Sequence, residues 1–597
     1  MRILYNSKST EYKNPFGVLT EGESCHLRLD IPRDVGALRA EVILECGDDI
    51  VTFPMELSGE TGAYQHFSGT IQLKCGLYFY YFKIYKKSGS FRLFKEGNDT
   101  NMEAGELWQV SAVPADAVVP QWARGAVIYQ IYPDRYFKKG ECDLTGKIEP
   151  YTMHDSWDDM PDWRPNEKGE ITNSDFFGGN LKGIEEKLPM LREMGVDILY
   201  LNPIFKAWSN HRYDTADYKV IDPMLGTEAD FVSLCETAHK LGMKVLLDGV
   251  FSHTGDRNVL FQSAISDPES PYRKWYQFKR WPNDFESWWG ITTLPCLNKM
   301  EPGYLDYLIR DEDSVVTRWL KLGADGWRLD VADELPDEFI LMLKKRIREV
   351  KPDALLMGEV WEDASNKVAY NQRKRYFIDG ELDSVMNYPF KNAIIAYATG
   401  ADDGFGLRET VETLLENYPK EVLDCCMSLL STHDTARILT VLGGGGDGNR
   451  EVEAVRRLTA EQLTLAKQRL KVASFLQFTL PGAPSIYYAD ETGMEGGKDP
   501  FNRKCYPWGK EDPDLKEHYR KLCELRKSEN ALRTGNLTFM EGGSGRIAFQ
   551  REDLCVYVNQ SNSEWKLDKG EVLFSSGLKQ AKTAMTLAPG GYALMKK

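Results

Sequence analysis

The sequence predicts an α/β protein: a (β/α)8 barrel with an inserted subdomain after its third strand, flanked by an N-terminal and a C-terminal β-sandwich domain. The barrel is predicted because eight short apolar runs alternate with amphipathic helical stretches in the middle of the chain. The sandwiches are predicted because both ends of the chain carry short β-rich runs that are separated by turns.

The eight apolar runs are the predicted barrel strands. They are AVIYQIYP (126–133), DILYLNPIF (197–205), KVLLDGVF (244–251), DGWRLDVA (325–332), ALLMGEVW (354–361), DSVMNYPF (383–390), MSLLSTHD (427–434) and PSIYYADE (484–491). Two of the following intervals are long, 134–180 and 252–300. Because both follow strands, we expect both to lie over the C-terminal mouth of the barrel, where barrel active sites are built.

The domain boundaries are predicted from changes in this pattern. Residues 1–115 form the N-terminal sandwich, and the Pro- and Ala-rich segment 111–125 marks its end. Residues 116–525 form the barrel, in which 252–300 is the inserted subdomain. Residues 526–597 form the smaller C-terminal sandwich.

The composition limits which partners the protein is expected to bind and in which cellular compartment it is expected to work. A formal net charge of −16 argues against a nucleic-acid or anionic-membrane partner and is compatible with a neutral substrate. The N-terminus lacks the apolar run of a signal peptide, and no stretch approaches the ~20 apolar residues of a membrane span. Eleven cysteines without C-x-x-C pairs indicate reduced thiols. We therefore expect a cytoplasmic protein.

Charged and polar residues stand at the ends of four predicted barrel strands. They are Asp248, Arg328 with Asp330, Glu359, and His433 with Asp434. A lone aspartate such as Asp248 is as easily an N-cap of the following helix. Capping does not account for four strand ends at once, whereas a barrel active site does.

Three carboxylates at a barrel mouth suit glycoside hydrolysis, which needs one carboxyl group as acid and another as nucleophile or base. Arg328 and Asp330 are two residues apart on a strand, so their side chains point to the same side. We expect Arg328 to lower the pKa of Asp330 and keep it ionised as the nucleophile. Glu359 is the candidate for the acid that donates a proton.

At these residues the sequence resembles the alpha-amylase family of glycoside hydrolases. The matching segments, in the order of the family, are LYLNPIF (199–205), HRYDTADY (211–218), DGVFSH (248–253), LPCLN (294–298), GWRLDVADE (326–334), GEVWE (358–362), STHD (431–434) and PGAPSIYYADETGMEGGKDPFNR (481–503). One such segment is weak evidence, but eight in order cover the whole barrel and are specific.

The resemblance implies Asp330 as nucleophile, Glu359 as general acid/base and Asp434 as stabiliser of the transition state. The candidate substrate-binding residues are His211, Tyr213, Asp248, His253, Arg328, Trp361, His433, Asp499 and Arg503. Within this set, the family pattern implies that Tyr213 lies beneath the sugar at the cleavage point and that His211 supports it. Asp499 and Arg503 are implied to bind sugars further toward the non-reducing end.

The N-terminal sandwich, the LPCLN segment and Trp361 are similar to the cyclomaltodextrinase, neopullulanase and maltogenic amylase branch. This likeness implies cleavage of α-1,4 bonds in maltooligosaccharides, cyclodextrins or pullulan, with some transglycosylation. It also implies a homodimer and a bacterial cytoplasmic location.

Departures from the family bear on metal binding and on substrate. Ser252 and Glu334 stand where calcium-dependent amylases commonly have Asn and His. We therefore expect no required cofactor. Calcium stays open as an alternative, although its usual amylase ligands are not matched, and the metal ligands stay unknown. The segment 134–180 is unlike the short calcium loop of typical neopullulanases, so it leaves the substrate preference open.

Two alternatives stay open within the enzyme class: an α-1,6-cleaving enzyme and an α-glucanotransferase. An alternative of another class is a catalytically inactive barrel that serves as a glycan-binding or interaction module. Such relatives lose the nucleophile or the acid, whereas this chain keeps Asp330, Glu359 and Asp434.

Overall fold

The structure is a computed structural model that describes residues 2–581 and 584–597. The chain forms two compact units. One comprises residues 1–118, 363–381 and 409–423, and the other comprises residues 119–362, 382–408 and 424–597. The second unit contains the barrel and the C-terminal sheet.

Eight parallel strands form the barrel, as the sequence predicts. They are β1 (Ile128–Ile131), β2 (Ile198–Leu201), β3 (Lys244–Gly249), β4 (Gly326–Leu329), β5 (Leu355–Gly358), β6 (Ser384–Val385), β7 (Met427–Ser428) and β8 (Ala483–Tyr487). Their order in the sheet is β6-β5-β4-β3-β2-β1-β8-β7. A parallel bridge between Met386 and Met427 joins the two ends, which closes the barrel. The predicted fold class is confirmed.

The barrel strands are buried on both faces, which is why they read as apolar runs in the sequence. A close approach between two of them depends on glycine. A side chain on Gly326, the first residue of β4, would meet the backbone carbonyl of Leu355 in β5. Only a residue without Cβ allows this spacing.

Helices follow most strands and cover the barrel. The α-helices of the chain are Leu181–Met194, Glu228–Lys240, Val259–Ser266, Pro302–Leu305, Val315–Lys321, Asp337–Val350, Tyr388–Thr399, Phe405–Asn417, Lys420–Cys425, Ile438–Leu442, Arg450–Val455, Ala460–Thr479, Pro513–Ser528 and Asn530–Thr534. Within residues 2–581 and 584–597, none of the helices has the length and apolar content needed to cross a membrane.

The two long intervals contain little regular structure. In the first, Thr152–Met153 pairs in parallel with Asp175–Phe176. The second holds the helix Val259–Ser266 and a short antiparallel pair, Phe278–Arg280 with Asp284–Phe285.

Antiparallel sheets precede and follow the barrel in the chain. The N-terminal strands are Lys13–Asn14, Leu19–Thr20, Ser24–Pro32, Ala37–Cys46, Asp49–Thr61, Tyr64–Gln72, Gly76–Lys86, Gly89–Glu96, Asp99–Asn101 and Trp108–Val113. They enclose an apolar core that includes Leu29, Phe67 and Trp108. The C-terminal strands are Leu537–Gly543, Arg546–Arg551, Leu554–Asn559, Trp565–Leu567, Glu571–Gln580 and Met585–Lys596.

Candidate active site

The side chain of Arg328 contacts three carboxylates at the barrel mouth. Parallel pairing of β3 with β4 places Asp248 directly beside Arg328. Arg328 Nη1 donates to Asp248 Oδ1 at 2.7 Å and to Asp330 Oδ1 at 2.8 Å. Its Nη2 lies 2.8 Å from Glu359 Oε2. All four side chains are buried, so the structure brings together residues that the sequence places on three different strands.

The strained backbone at Val331 supplies a hydrogen-bond donor to Glu359. Val331, which follows Asp330, has φ 40° and ψ 64°, a left-handed conformation that β-branched residues rarely adopt. This conformation directs the Val331 N–H to Glu359 Oε2 at 2.9 Å. The indole of Trp361 donates to Glu359 Oε1 at 3.0 Å. Both carboxylate oxygens are therefore fixed, and the strain falls at the site where the chemistry is expected.

The electrostatics of Asp330 differ from the prediction. Burial raises the pKa of Asp330 well above its ordinary value, and the charges of Glu359 and Asp248 act in the same direction. Arg328 lowers it, as expected, but does not set the net direction. The prediction of a lowered net pKa is therefore wrong, because burial outweighs the guanidinium and the two neighbouring charges of Glu359 and Asp248 add to the effect of burial.

A chain of hydrogen bonds fixes the tautomer of His433. Gln130 Nε2 donates to His433 Nδ1 at 2.9 Å, so the ring proton is on Nε2. That nitrogen lies 2.5 Å from the hydroxyl of Tyr213, which also accepts from Asn202 Nδ2 at 3.1 Å. The Tyr213 hydroxyl is then free to donate to Asp248 Oδ2, 2.8 Å away. Tyr213 is thereby held at the cleft in one orientation.

The other two histidines predicted for the site are also neutral. Burial, assisted by Arg503, lowers the pKa of His211 to about 3, and burial lowers the pKa of His253 to about 3. The backbone N–H of Tyr213 donates to His211 Nδ1 at 3.1 Å, which agrees with the predicted support of Tyr213. His253 Nε2 is buried and has no hydrogen-bond partner within the described residues.

Arg503 links the remaining predicted residues. Its Nη1 lies 2.9 Å from Asp499 Oδ1, and its Nη2 lies 3.7 Å from Asp434 Oδ1. Its Nε donates to the backbone carbonyl of His433 at 3.0 Å. Burial and the charge of Glu359 raise the pKa of Asp434. Asp434 keeps a third of its side chain accessible, at 33%, as a residue that approaches a substrate requires.

Two exposed tryptophans contact acidic side chains, Trp361 at Glu359 and Trp289 at Glu334. Trp361 is 45% exposed, and its ring stacks on Tyr388 at 4.0 Å. Trp289 is 80% exposed, and its indole donates to Glu334 at 3.2 Å. These rings offer apolar faces of the kind on which sugar rings stack.

Ser252 and Glu334, the two positions that depart from the calcium-dependent pattern, form hydrogen bonds with neighbouring side chains. The hydroxyl of Ser252 lies 2.9 Å from His253 Nδ1, and Glu334 accepts the indole N–H of Trp289. In residues 2–581 and 584–597, no group of three or more His, Cys, Asp and Glu side chains is arranged to hold a metal ion.

Three further residues of the site were not identified from the sequence. Tyr200 donates its hydroxyl to Asp248 Oδ2 at 2.7 Å, and Asn202 and Gln130 complete the hydrogen bonds of Tyr213 and His433. Their signal in the sequence is like that of Arg328: a polar side chain within a strand that is buried on both faces, or, for Asn202, directly after such a strand.

The fold and the site define a class of protein. A closed parallel barrel that gathers an arginine, three carboxylates and neutral histidines at the ends of its strands is typical of glycoside hydrolases that work through paired carboxyl groups.

Comparison with known proteins identifies the family. The description "Alpha amylase, catalytic domain" matches residues 130–535, and the chain belongs to the alpha-amylase family. A cyclomaltodextrinase from Bacillus sp is 34% identical over 455 residues, which cover 73% of this chain and 72% of the relative. An amylopullulanase from Thermoanaerobacter thermohydrosulfuricus is 32% identical over 603 residues, 90% of this chain. The match covers 40% of that relative, so this chain spans less than half of its length.

Solved structures agree with this assignment. The type III pullulan hydrolase from Thermococcus kodakarensis has a TM-score of 0.69 at 26% identity, over 100% of each chain. Together these findings confirm the predicted family and its cyclomaltodextrinase-like branch.

We predict that Gln130→Leu lowers kcat/KM roughly 5- to 150-fold, because it removes the donor that fixes the His433 tautomer and leaves a buried nitrogen unsatisfied, at about 1–3 kcal/mol. Steady-state kinetics on a maltooligosaccharide checks this. Gln477→Leu is the matched control, since Gln477 is also buried in the barrel but donates only to the carbonyls of Ser428 and Ser485. Equal losses in the two variants would contradict the assignment to His433.

Proposed function

We propose that the protein is a retaining α-glucan hydrolase that cleaves α-1,4-glucosidic bonds in maltooligosaccharides, cyclodextrins or pullulan. The observation that carries this proposal is the contact of Arg328 with Asp248, Asp330 and Glu359 at the barrel mouth. It places a candidate nucleophile and a candidate acid close to each other, and a double displacement at one sugar carbon needs two neighbouring carboxyl groups.

In the proposed reaction, an Asp330 carboxylate oxygen attacks the anomeric carbon while the bond to the leaving sugar breaks. Glu359 gives its proton to the departing oxygen, and a glycosyl ester on Asp330 results. Water then attacks the same carbon, Glu359 takes its proton, and the ester bond breaks. This assignment requires the carboxyl groups of Asp330 and Glu359 to be about 5–5.5 Å apart, which stays a prediction.

Arg328 favours the ionised form of Asp330 that this reaction needs. Burial and the charges of Glu359 and Asp248 raise the pKa of Asp330, whereas Arg328, 2.8 Å away, lowers it. The role of Glu359 as the acid for the leaving group is taken from the family pattern.

The substrate class is proposed from the relatives. Two of the relatives are named cyclomaltodextrinase and amylopullulanase, and a structural neighbour is a pullulan hydrolase. An α-1,6-cleaving enzyme is the second candidate. Transglycosylation, a homodimer and a cytoplasmic location are further proposals that rest on the branch alone.

Replacing Asp330 with Asn is expected to lower kcat at least roughly a thousandfold, because the amide cannot form the glycosyl ester. The thermal unfolding temperature is expected to stay the same or rise, since the change removes a charge from a crowded site. Asp333→Asn, three residues along the same turn, serves as the control and should keep its activity. More than a trace of hydrolysis by Asp330→Asn would refute the role of Asp330.

Product analysis on pullulan decides the bond preference. Cleavage of α-1,4 bonds should release panose, whereas cleavage of α-1,6 bonds would release maltotriose. Maltotriose and β-cyclodextrin measured in parallel show whether linear and cyclic substrates are both used. We expect panose and ring opening; maltotriose as the main product would favour the second candidate.

A further inference from the structure

The long interval between β1 and the helix Leu181–Met194 contributes a buried charged cluster to the barrel mouth. We define the Asp175 cluster as Asp175, Arg135, His154 and Asn210. The side chain of Asp175 is 1% exposed and that of Arg135 is 1% exposed, and Asn210 is buried as well. None of the four residues takes part in the proposed reaction.

Asp175 is the common partner of the cluster. Its Oδ2 accepts from Arg135 Nη2 at 3.2 Å and lies 3.1 Å from His154 Nε2. Its Oδ1 accepts from Asn210 Nδ2 at 2.8 Å, and its backbone carbonyl accepts from the same amide at 3.1 Å. A buried carboxylate with this set of donors is held in one position, and its loss would leave several donors unpaired.

An aromatic ring joins the two cations of the cluster. His154 stacks on Phe177 at 4.0 Å with an angle of 17° between the rings. The Arg135 guanidinium lies 4.5 Å from the centre of the same ring. Phe177 thus packs against both partners of Asp175, which fixes their orientation by contact as well as by charge.

The cluster reaches two parts of the candidate active site. Arg135 Nη1 donates to the backbone carbonyl of Arg503 at 3.1 Å. Asn210 directly precedes His211 in the loop that carries Tyr213. The backbone N–H of Asn210 also donates to the carbonyl of Asn173 at 2.7 Å. One carboxylate therefore fixes both the Arg503 backbone and the loop of His211 and Tyr213.

We propose that Asp175 is a positioning residue that holds Arg503 and the His211–Tyr213 loop in register for the sugars on the non-reducing side of the cleaved bond. His154 is the protonatable partner that supports it. This inference rests on the proposed function, because it assumes that Arg503 and Tyr213 bind those sugars. The proposal assigns the interval 134–180 a role in substrate binding.

The charges around His154 favour its protonated form. Asp175 and Asp162 face it from the interval, Asp159 lies 3.5 Å from its Nδ1, and Arg135 opposes them. The hydrogen bond to Asp175 raises the pKa of His154. Burial acts to raise the pKa of Asp175, but Arg135 and His154 lower it to about 2. Asp175 is thus ionised throughout the working range, while His154 loses its charge as the pH rises through its raised pKa.

The test compares Asp175→Asn with the wild-type protein on two chromogenic substrates. p-Nitrophenyl α-maltoside places two sugars on the non-reducing side, and p-nitrophenyl α-glucoside places one. For the maltoside, we expect KM to rise about tenfold with kcat within about threefold, since the lost interaction serves binding. For the glucoside, the rise in KM should be smaller. Asp159→Asn is the matched control, because it removes an acid beside His154 that contacts neither Arg135 nor Asn210 in the bonds described.

His154→Gln supplies a readout that a merely structural role would not change. In the wild-type protein, KM for the maltoside should rise with pH as His154 loses its proton, and this rise should be absent in His154→Gln. Thermal unfolding of each variant shows that it is folded.

Two outcomes would overturn the proposal. One is a folded Asp175→Asn protein whose KM for both substrates equals that of the wild type. The other is an equal fall in kcat for both substrates with a matching fall in unfolding temperature, which would indicate a structural role only. If the wild-type protein hydrolyses no α-glucan at all, the proposed function fails instead, and the two failures are thereby distinguished.

Discussion

The contact of Arg328 with three buried carboxylates is the interaction on which the rest of the site depends. A guanidinium is charged at any working pH and presents its donors in a fixed plane, so it can pair with several carboxylates at once. In this barrel it pairs with Asp248, Asp330 and Glu359, which come from three neighbouring strands. Without it, these carboxylates would repel each other in a buried site. The register between β3 and β4 creates this arrangement.

Next to this arginine, His433 is held in its neutral form. The pKa of His433 is lowered far below its usual value by burial and by Arg503, and Gln130 selects its tautomer. The neutral imidazole donates to the Tyr213 hydroxyl without adding a charge next to Arg328. Under the proposed function, the charges of the site are kept for the carboxyl groups, and neutral groups hold Tyr213 in place.

Much of the fold and the candidate site could be predicted from the sequence, for a physical reason. Strands buried on both faces must be apolar, so a polar residue such as Arg328 or Asp434 at a strand end is conspicuous. Properties that depend on contacts between distant parts of the chain could not be predicted from the sequence. The net pKa direction of Asp330 depends on its burial and on the charges of Glu359 and Asp248, which the neighbouring strands bring close to it. The contacts of Asp175 with Arg135 and Asn210 join segments far apart in the chain, and no local pattern encodes them.

Trapping of the glycosyl ester tests the central claim most directly. The protein is incubated with a fluorinated α-glucosyl fluoride, whose ester turns over slowly, and its peptides are then analysed by mass spectrometry. If Arg328 holds Asp330 as the nucleophile, the added mass of one fluorinated sugar lies on the peptide that contains Asp330, and the residue itself is modified. A label on Asp248 or Glu359 would contradict the account.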